Sequence, residues 1–157
     1  MEILKKLAEK VKGLTVNDLI HELSESPEFT DLIIKLNTVN QLYDKGIDSR
    51  GRSLGDYAAN TIEGTKLYKG KKEKGQRFDH ITLNDTGDFY ESFKINLDSN
   101  SDFSIEADTI KDSIEGTIDL LDAYGEDILG LTDESLKILR EKALEILIPY
   151  IKNVLLQ

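Results

Sequence analysis

The chain has no cysteine. Disulfides, thiolate catalysis, zinc ribbons and iron–sulfur ligation are excluded, and the absence fits synthesis in a reducing cytoplasm. Histidines number two and prolines two. No apolar run reaches the length of a membrane span, so no segment is expected to cross one. The N-terminus, MEILKKLAEKVKG, interleaves charge with Ile3, Leu4, Leu7 and Val11. That is an amphipathic helix, not the unbroken core of a signal peptide. Positive charge is scarce too: 20 Lys and Arg face 30 Asp and Glu, a formal net charge of −10. Counterion-driven nucleic-acid binding is therefore disfavoured for the chain as a whole, and no specific nucleic-acid partner is expected.

What remains suffices for one domain over residues 1–157. Hydrophobic residues make up 39% of the 157, enough for a single core. Charged residues make up 32%, more than the usual quarter, which implies a large solvated surface. The charge is uneven. Residues 66–77 hold Lys66, Lys69, Lys71, Lys72, Lys74 and Arg77 against Glu73, a net of +5, leaving −15 elsewhere. An acidic body with one basic loop suits pairing between copies. A solvated, mobile loop is the plainer reading.

Hydrophobic spacing predicts an N-terminal helical segment over 1–45. A short helix over 2–12 ends at Gly13, and Val16, Leu19, Ile20 and Leu23 form a second cluster. A helix over about 28–44 shows Phe29, Leu32, Ile33, Leu36, Val39, Asn40 and Tyr43 on one face and stops at Gly46. Residues 46–56 form a glycine-rich loop, 53–63 are weakly helical, and 78–83 are β-prone. Alternation of Phe93, Ile95 and Leu97, then of Phe103, Ile105 and Ala107, around turn-forming 98–101 predicts a β-hairpin near 93–107. Thr132 caps a long C-terminal helix over about 133–155, which Pro149 should kink or divide. That helix has more apolar circumference than a surface helix needs, which marks Leu144, Ile148 and Leu155 as subunit-interface candidates beside the six cations of 66–77. The expected fold class is α+β: helices on a small antiparallel sheet, with a long C-terminal helix.

Chemical motifs fail on spacing. Residues 43–53 place Gly46 and Ser49, or Arg50 and Arg52, where a calcium loop needs other residues. After GKKEKG a phosphate-binding loop would need Lys and Ser or Thr, but Gln76 and Arg77 follow. No nucleophile elbow occurs. His21 reads as a helix-surface residue. His80, in the β-prone run, should point away from Asp79. The stretch LNDTGDFYESF (83–93) offers Asp85 and Asp88 as metal or acid–base candidates. It also reads as structure: Asp85 or Thr86 caps a turn over 87–93, and Phe89 and Phe93, four apart, anchor it. No catalytic residue, metal site or cofactor is assigned.

The order GRSLGDYAANTI (51–62), a basic segment, ITLNDTGDFYESF (81–93) and an alternating strand resembles the tail-completion and head–tail joining proteins of tailed bacteriophages, most of all those of crAss-like gut phages. The resemblance covers about residues 40–97 and rests on Gly51, Arg52, Leu54, Thr61, Leu83, Asp85, Thr86, Gly87, Phe89, Ser92 and Phe93. The C-terminal helix has no counterpart in that pattern. The resemblance implies an α/β or α+β structural subunit without an active site. It would be made in the host cytoplasm and form a homo-oligomeric ring in the virion neck or upper tail, touching portal or connector and tail proteins, with DNA passing through. Two other expectations stand beside it: a small acidic cytosolic binding module or inhibitor, and a carboxylate metal enzyme centred on Asp85 and Asp88.

Overall fold

A computed structural model describes Glu9 and residues 12–97, 102–113 and 116–156. The fold is α+β. The helix expected over 2–12 lies almost wholly outside the described residues. Helix α1 (Val16–Ser24) starts at a reciprocal cap: the Asp18 amide donates to Thr15 Oγ1 at 3.2 Å, and the Thr15 amide to Asp18 Oδ2 at 2.8 Å. Helix α2 (Pro27–Lys35) opens with proline in its first turn, where a missing N–H costs nothing. It continues as a π-helical segment, Leu36–Tyr43, in which the Asp44 amide reaches back five residues to the Val39 carbonyl at 2.8 Å. The wider turns rotate the buried face. Val39, expected inward, is 39% exposed, and Asn37, Thr38 and Gln41 are buried instead.

After α3 (Ala59–Glu63) and α4 (Asp88–Glu91), strands β1 (Lys94–Leu97) and β2 (Phe103–Glu106) pair antiparallel, Lys94 opposite Glu106 and Leu97 opposite Phe103. This is the expected hairpin; its turn, 98–101, lies outside the described residues. A second hairpin, β3 (Ile110–Ser113) with β4 (Gly116–Asp119), forms a separate sheet that sequence patterning did not anticipate. Then come α5 (Leu120–Tyr124), a 3₁₀ turn at Glu126–Ile128, and α6 (Asp133–Leu156). Thr132 caps α6, its Oγ1 accepting from the Ser135 amide at 3.2 Å. Pro149 does not divide the helix.

Two apolar clusters meet at Ile105. One gathers Leu42, Phe89, Phe93, Leu120 and Ile128; the other packs Leu23, Phe29 and Ile33 against Ile95, Phe103 and the Leu139–Leu147 face of α6. Residues 78–83 are not a strand. Phe78 is 41% exposed, and the His80 ring turns inward, Nε2 2.8 Å from the Tyr43 carbonyl. Strand alternation therefore does not apply, and Asp79 Oδ2 lies 3.4 Å from His80 Nδ1 rather than on the opposite face. Helix within 53–63 is confined to α3.

Candidate functional site

The first half of the signature folds around a carboxylate it does not contain. Asp48 is 3% exposed. Its Oδ1 accepts from the Arg50 and Arg52 amides, each at 2.9 Å, and its Oδ2 from Arg52 Nε at 2.7 Å. Gly51 supplies the left-handed residue of this turn, at φ 74°. Burial pushes the Asp48 pKa up, but the Arg52 and Arg50 hydrogen bonds outweigh it and hold the group below 3.8. Arg52 continues to Asp127 Oδ2 at 2.6 Å, joining the loop to the 3₁₀ turn. Leu54 leaves the loop for the core, packing on the cluster that holds Phe89 and Phe93. Thr61 contributes its carbonyl, which accepts from the Lys71 amide at 3.0 Å.

The second half is a polar knot sealed by aromatics. Thr82, 1% exposed, accepts at its carbonyl from Tyr90 Oη, and its amide donates to Tyr57 Oη at 3.0 Å. Burial pushes the Tyr90 pKa well up, so the phenol stays protonated and donating. Leu83 takes a left-handed φ of 56°, which a side chain adopts only under constraint. Gly87, at φ 101°, opens α4. Thr86 Oγ1 donates to Asp88 Oδ2 at 2.7 Å and accepts the Asp88 amide at 3.3 Å. Ser92 Oγ donates to the Phe89 carbonyl at 2.7 Å and accepts the Asp108 amide at 2.9 Å, fixing where β1 begins. Phe89 and Phe93 meet edge-on at 5.0 Å.

The two carboxylates suspected of chemistry are engaged within the chain. Asp85 Oδ1 holds Lys74 Nζ at 3.0 Å. Partial burial raises the Asp85 pKa, and the Lys74 bond with the charges of Lys74 and Lys71 brings the net below 3.8. Asp88 belongs to Thr86. Among the described residues, no three His, Asp or Glu side chains converge as metal ligands would.

The basic stretch is a folded set of turns. A Cβ on Gly70 would fall 2.3 Å from the Gly64 nitrogen and the Ile62 carbonyl oxygen, so only glycine permits this crossing. Lys71 is 5% exposed and is thus no surface candidate. Its Nζ donates to the Asn84 carbonyl at 2.8 Å and sits 4.6 Å above the Tyr57 ring. The others are outward but partly neutralised: Lys69 on Glu73, Lys72 on Glu63, Arg77 on Asp79 and Asp44. The Arg77 hydrogen bond lowers the Asp79 pKa to about 2. Lys66 is exposed, and Leu67 beside it is 85% exposed.

Of the helix candidates, Leu144 is 58% and Ile148 48% exposed, while Leu155 is partly buried. On the second hairpin Ile110 is 52% and Ile118 44% exposed. Residues missed from sequence are Asn37 and Gln41. Asn37 Nδ2 donates to the Ile128 carbonyl at 3.0 Å and its Oδ1 accepts the Gly130 amide at 3.1 Å. Gln41 Nε2 donates to the Gly130 carbonyl at 2.9 Å and its Oε1 accepts the Thr132 amide at 2.8 Å. Two amides four residues apart on a helix were the available signal. Compared with protein families, curated proteins and solved structures, the chain matches none. The site is thus a set of cores and surfaces: the signature builds the interior, and the outward groups are aliphatic stripes and lysines.

Proposed function

We propose that the chain is a structural virion protein that forms a ring in the neck or upper tail of a tailed phage, joining portal to tail. The observation that carries this reading is the presence of bulky aliphatics turned outward in two places, Leu144 and Ile148 on α6 and Ile110 and Ile118 on the second hairpin. Paired surfaces of this kind suit repeated contacts between copies. The reading assigns the chain no catalytic role; its partners are itself, portal or connector proteins and tail proteins. Negative-stain microscopy of the purified chain, alone and co-expressed with portal and tail proteins, tests it. Rings or co-purifying neck complexes are expected. A chain that stays out of both, and out of purified particles, would sink it.

A second reading draws on the acidic side of the molecule. Glu106, Asp108, Asp112 and Asp122 are all exposed along and beyond the second hairpin, with Lys111 between them. Such a surface suits a small acidic binding module or inhibitor. Capture of one cationic host protein, lost on charge reversal at these acids and without incorporation into particles, would favour it over the ring.

A further inference from the structure

One side of α6 carries Leu144 and Ile148, both exposed, and Ile151 and Leu155, both half-buried, spaced four, three and four residues apart. That is the seam of a two-stranded coiled coil. The opposite side, with Leu139, Ala143, Ile146 and Leu147, is already packed into the chain's own core. Flanking the seam are Glu145 and Lys152, both exposed and seven residues apart, hence on one side of it. Glu145 makes a surface contact, 3.2 Å from Lys142 Nζ.

We propose that a second copy of this chain covers this stripe, the two α6 helices lying antiparallel about a two-fold axis between Ile148 and Ile151. In that register Leu144 of one copy meets Leu155 of the other, and Ile148 meets Ile151. The orientation follows from charge. In an antiparallel pair each flank meets its own equivalent, so Glu145 faces Lys152 twice over. A parallel pair would bring Arg140 near Glu145, but would also stack Glu141 on Glu141 and Lys137 on Lys137 within the seam. The antiparallel register overlaps only the aliphatic span 144–155, leaving both of those positions outside it. A closed pair does not propagate. The inference shares with the ring reading the exposed Leu144 and Ile148, and it assigns them to a closed pair, which leaves a ring the second hairpin and the basic turns.

The cysteine-free chain allows a direct test. Mixing Ile148→Cys with Ile151→Cys, or Leu144→Cys with Leu155→Cys, should give disulfide-linked dimers under mild oxidation. Leu144→Cys alone should not. Sedimentation of the wild-type chain should show concentration-dependent doubling of mass. Leu144→Gln with Ile148→Gln should abolish the doubling with an unchanged circular dichroism spectrum. Glu145→Lys or Lys152→Glu alone should weaken pairing about tenfold, and the two together should restore it. A wild-type chain monomeric into the millimolar range, cross-linking of Leu144→Cys to itself, or failure of the double charge swap to restore pairing would overturn the proposal. Rings in micrographs combined with absent cross-links would overturn the pairing and leave the ring reading standing.

Discussion

The π-helical segment Leu36–Tyr43 and the second half of α6 break the usual sorting of side chains in opposite senses. The first buries two amides completely: Asn37 is 0% and Gln41 1% exposed. The second turns Leu144 and Ile148 to solvent. In the first case every polar atom finds a backbone partner between Ile128 and Thr132. Asn37 and Gln41 together stand in for a neighbouring strand, pairing the Ile128 and Gly130 carbonyls and the Gly130 and Thr132 amides along a half-buried segment. In the second case no such compensation is present among the described residues. A buried polar group that is fully partnered serves folding; an exposed apolar stripe is the kind of surface that the proposed association would use.

The interior side of this contrast carries the largest expected effect. Gln41→Ala leaves the part-buried Gly130 carbonyl and Thr132 amide without their Gln41 partners. At roughly 1–3 kcal/mol for each orphaned group, the loss should be about 2–6 kcal/mol. Asn37→Ala exposes the same logic at Ile128 and Gly130. Urea unfolding of each variant measures it; a loss below about 1 kcal/mol would mean that water or relaxation replaces the amides and that the strand-like role is wrong.

Lys71 sharpens the comparison within one stretch of like residues. Lys71→Met keeps the apolar stem over Tyr57 but orphans the Asn84 carbonyl, and should cost about 1–3 kcal/mol in urea unfolding. Lys69→Met, outward and paired only with Glu73 at 3.3 Å, should stay within about 0.5 kcal/mol of wild type. Equal losses at the two sites would erase the distinction between a folded knot and a solvated basic patch.

Acid should loosen the polar side of the molecule before the apolar side. Asp48 and Asp79 both have folded pKa values below the ordinary 3.8, Asp79 at about 2. A depressed carboxylate stabilises the fold fully above its unfolded value, and that contribution is lost as pH falls through the folded one. Between about pH 4 and 2, amide protection factors, taken relative to the intrinsic rate at each pH, should therefore fall first in residues 48–52 and 77–80. Higher protection factors there at pH 3 than at neutral pH would reverse the sign and refute the assignment.

How much of this was legible beforehand follows the same line. The β1–β2 hairpin was readable because one face is uniformly apolar and alternation of period two has a single interpretation. The cap at Thr132 was readable because it depends on neighbours three residues away. The second hairpin was not. Its strands are four residues each, bury little, and put Ile110 and Ile118 in solvent, so no buried face shapes their pattern. The π-winding was hidden because the helical periodicity of Phe29, Ile33 and Leu36 extrapolates smoothly to Val39, and only tertiary partners 91 residues away make Asn37 and Thr132's partner Gln41 point inward. Of the signature, the convergence of Leu54, Leu83, Phe89 and Phe93 in one core could not be read from two separate segments; a turn here was legible, but the cap expected at Asp85 or Thr86 is instead Gly87, with Thr86 bonding the Asp88 amide one step earlier. Lys71 misled because a lysine among lysines gives no sign of burial.

The smallest expected effect on stability falls at the exposed stripe, and its smallness is informative. Leu144→Gln and Ile148→Gln remove methyl groups that already face water, so neither loses much transfer free energy on unfolding. Each should change the unfolding free energy by less than about 0.5 kcal/mol when measured at protein concentrations too low for pairing. At high concentration a gap should open, because association stabilises only the folded wild type. A stability difference that grows with protein concentration separates a face kept for a partner from one merely tolerated. If the gap is instead large and independent of concentration, the stripe belongs to the chain's own core and the contrast between the two helices collapses.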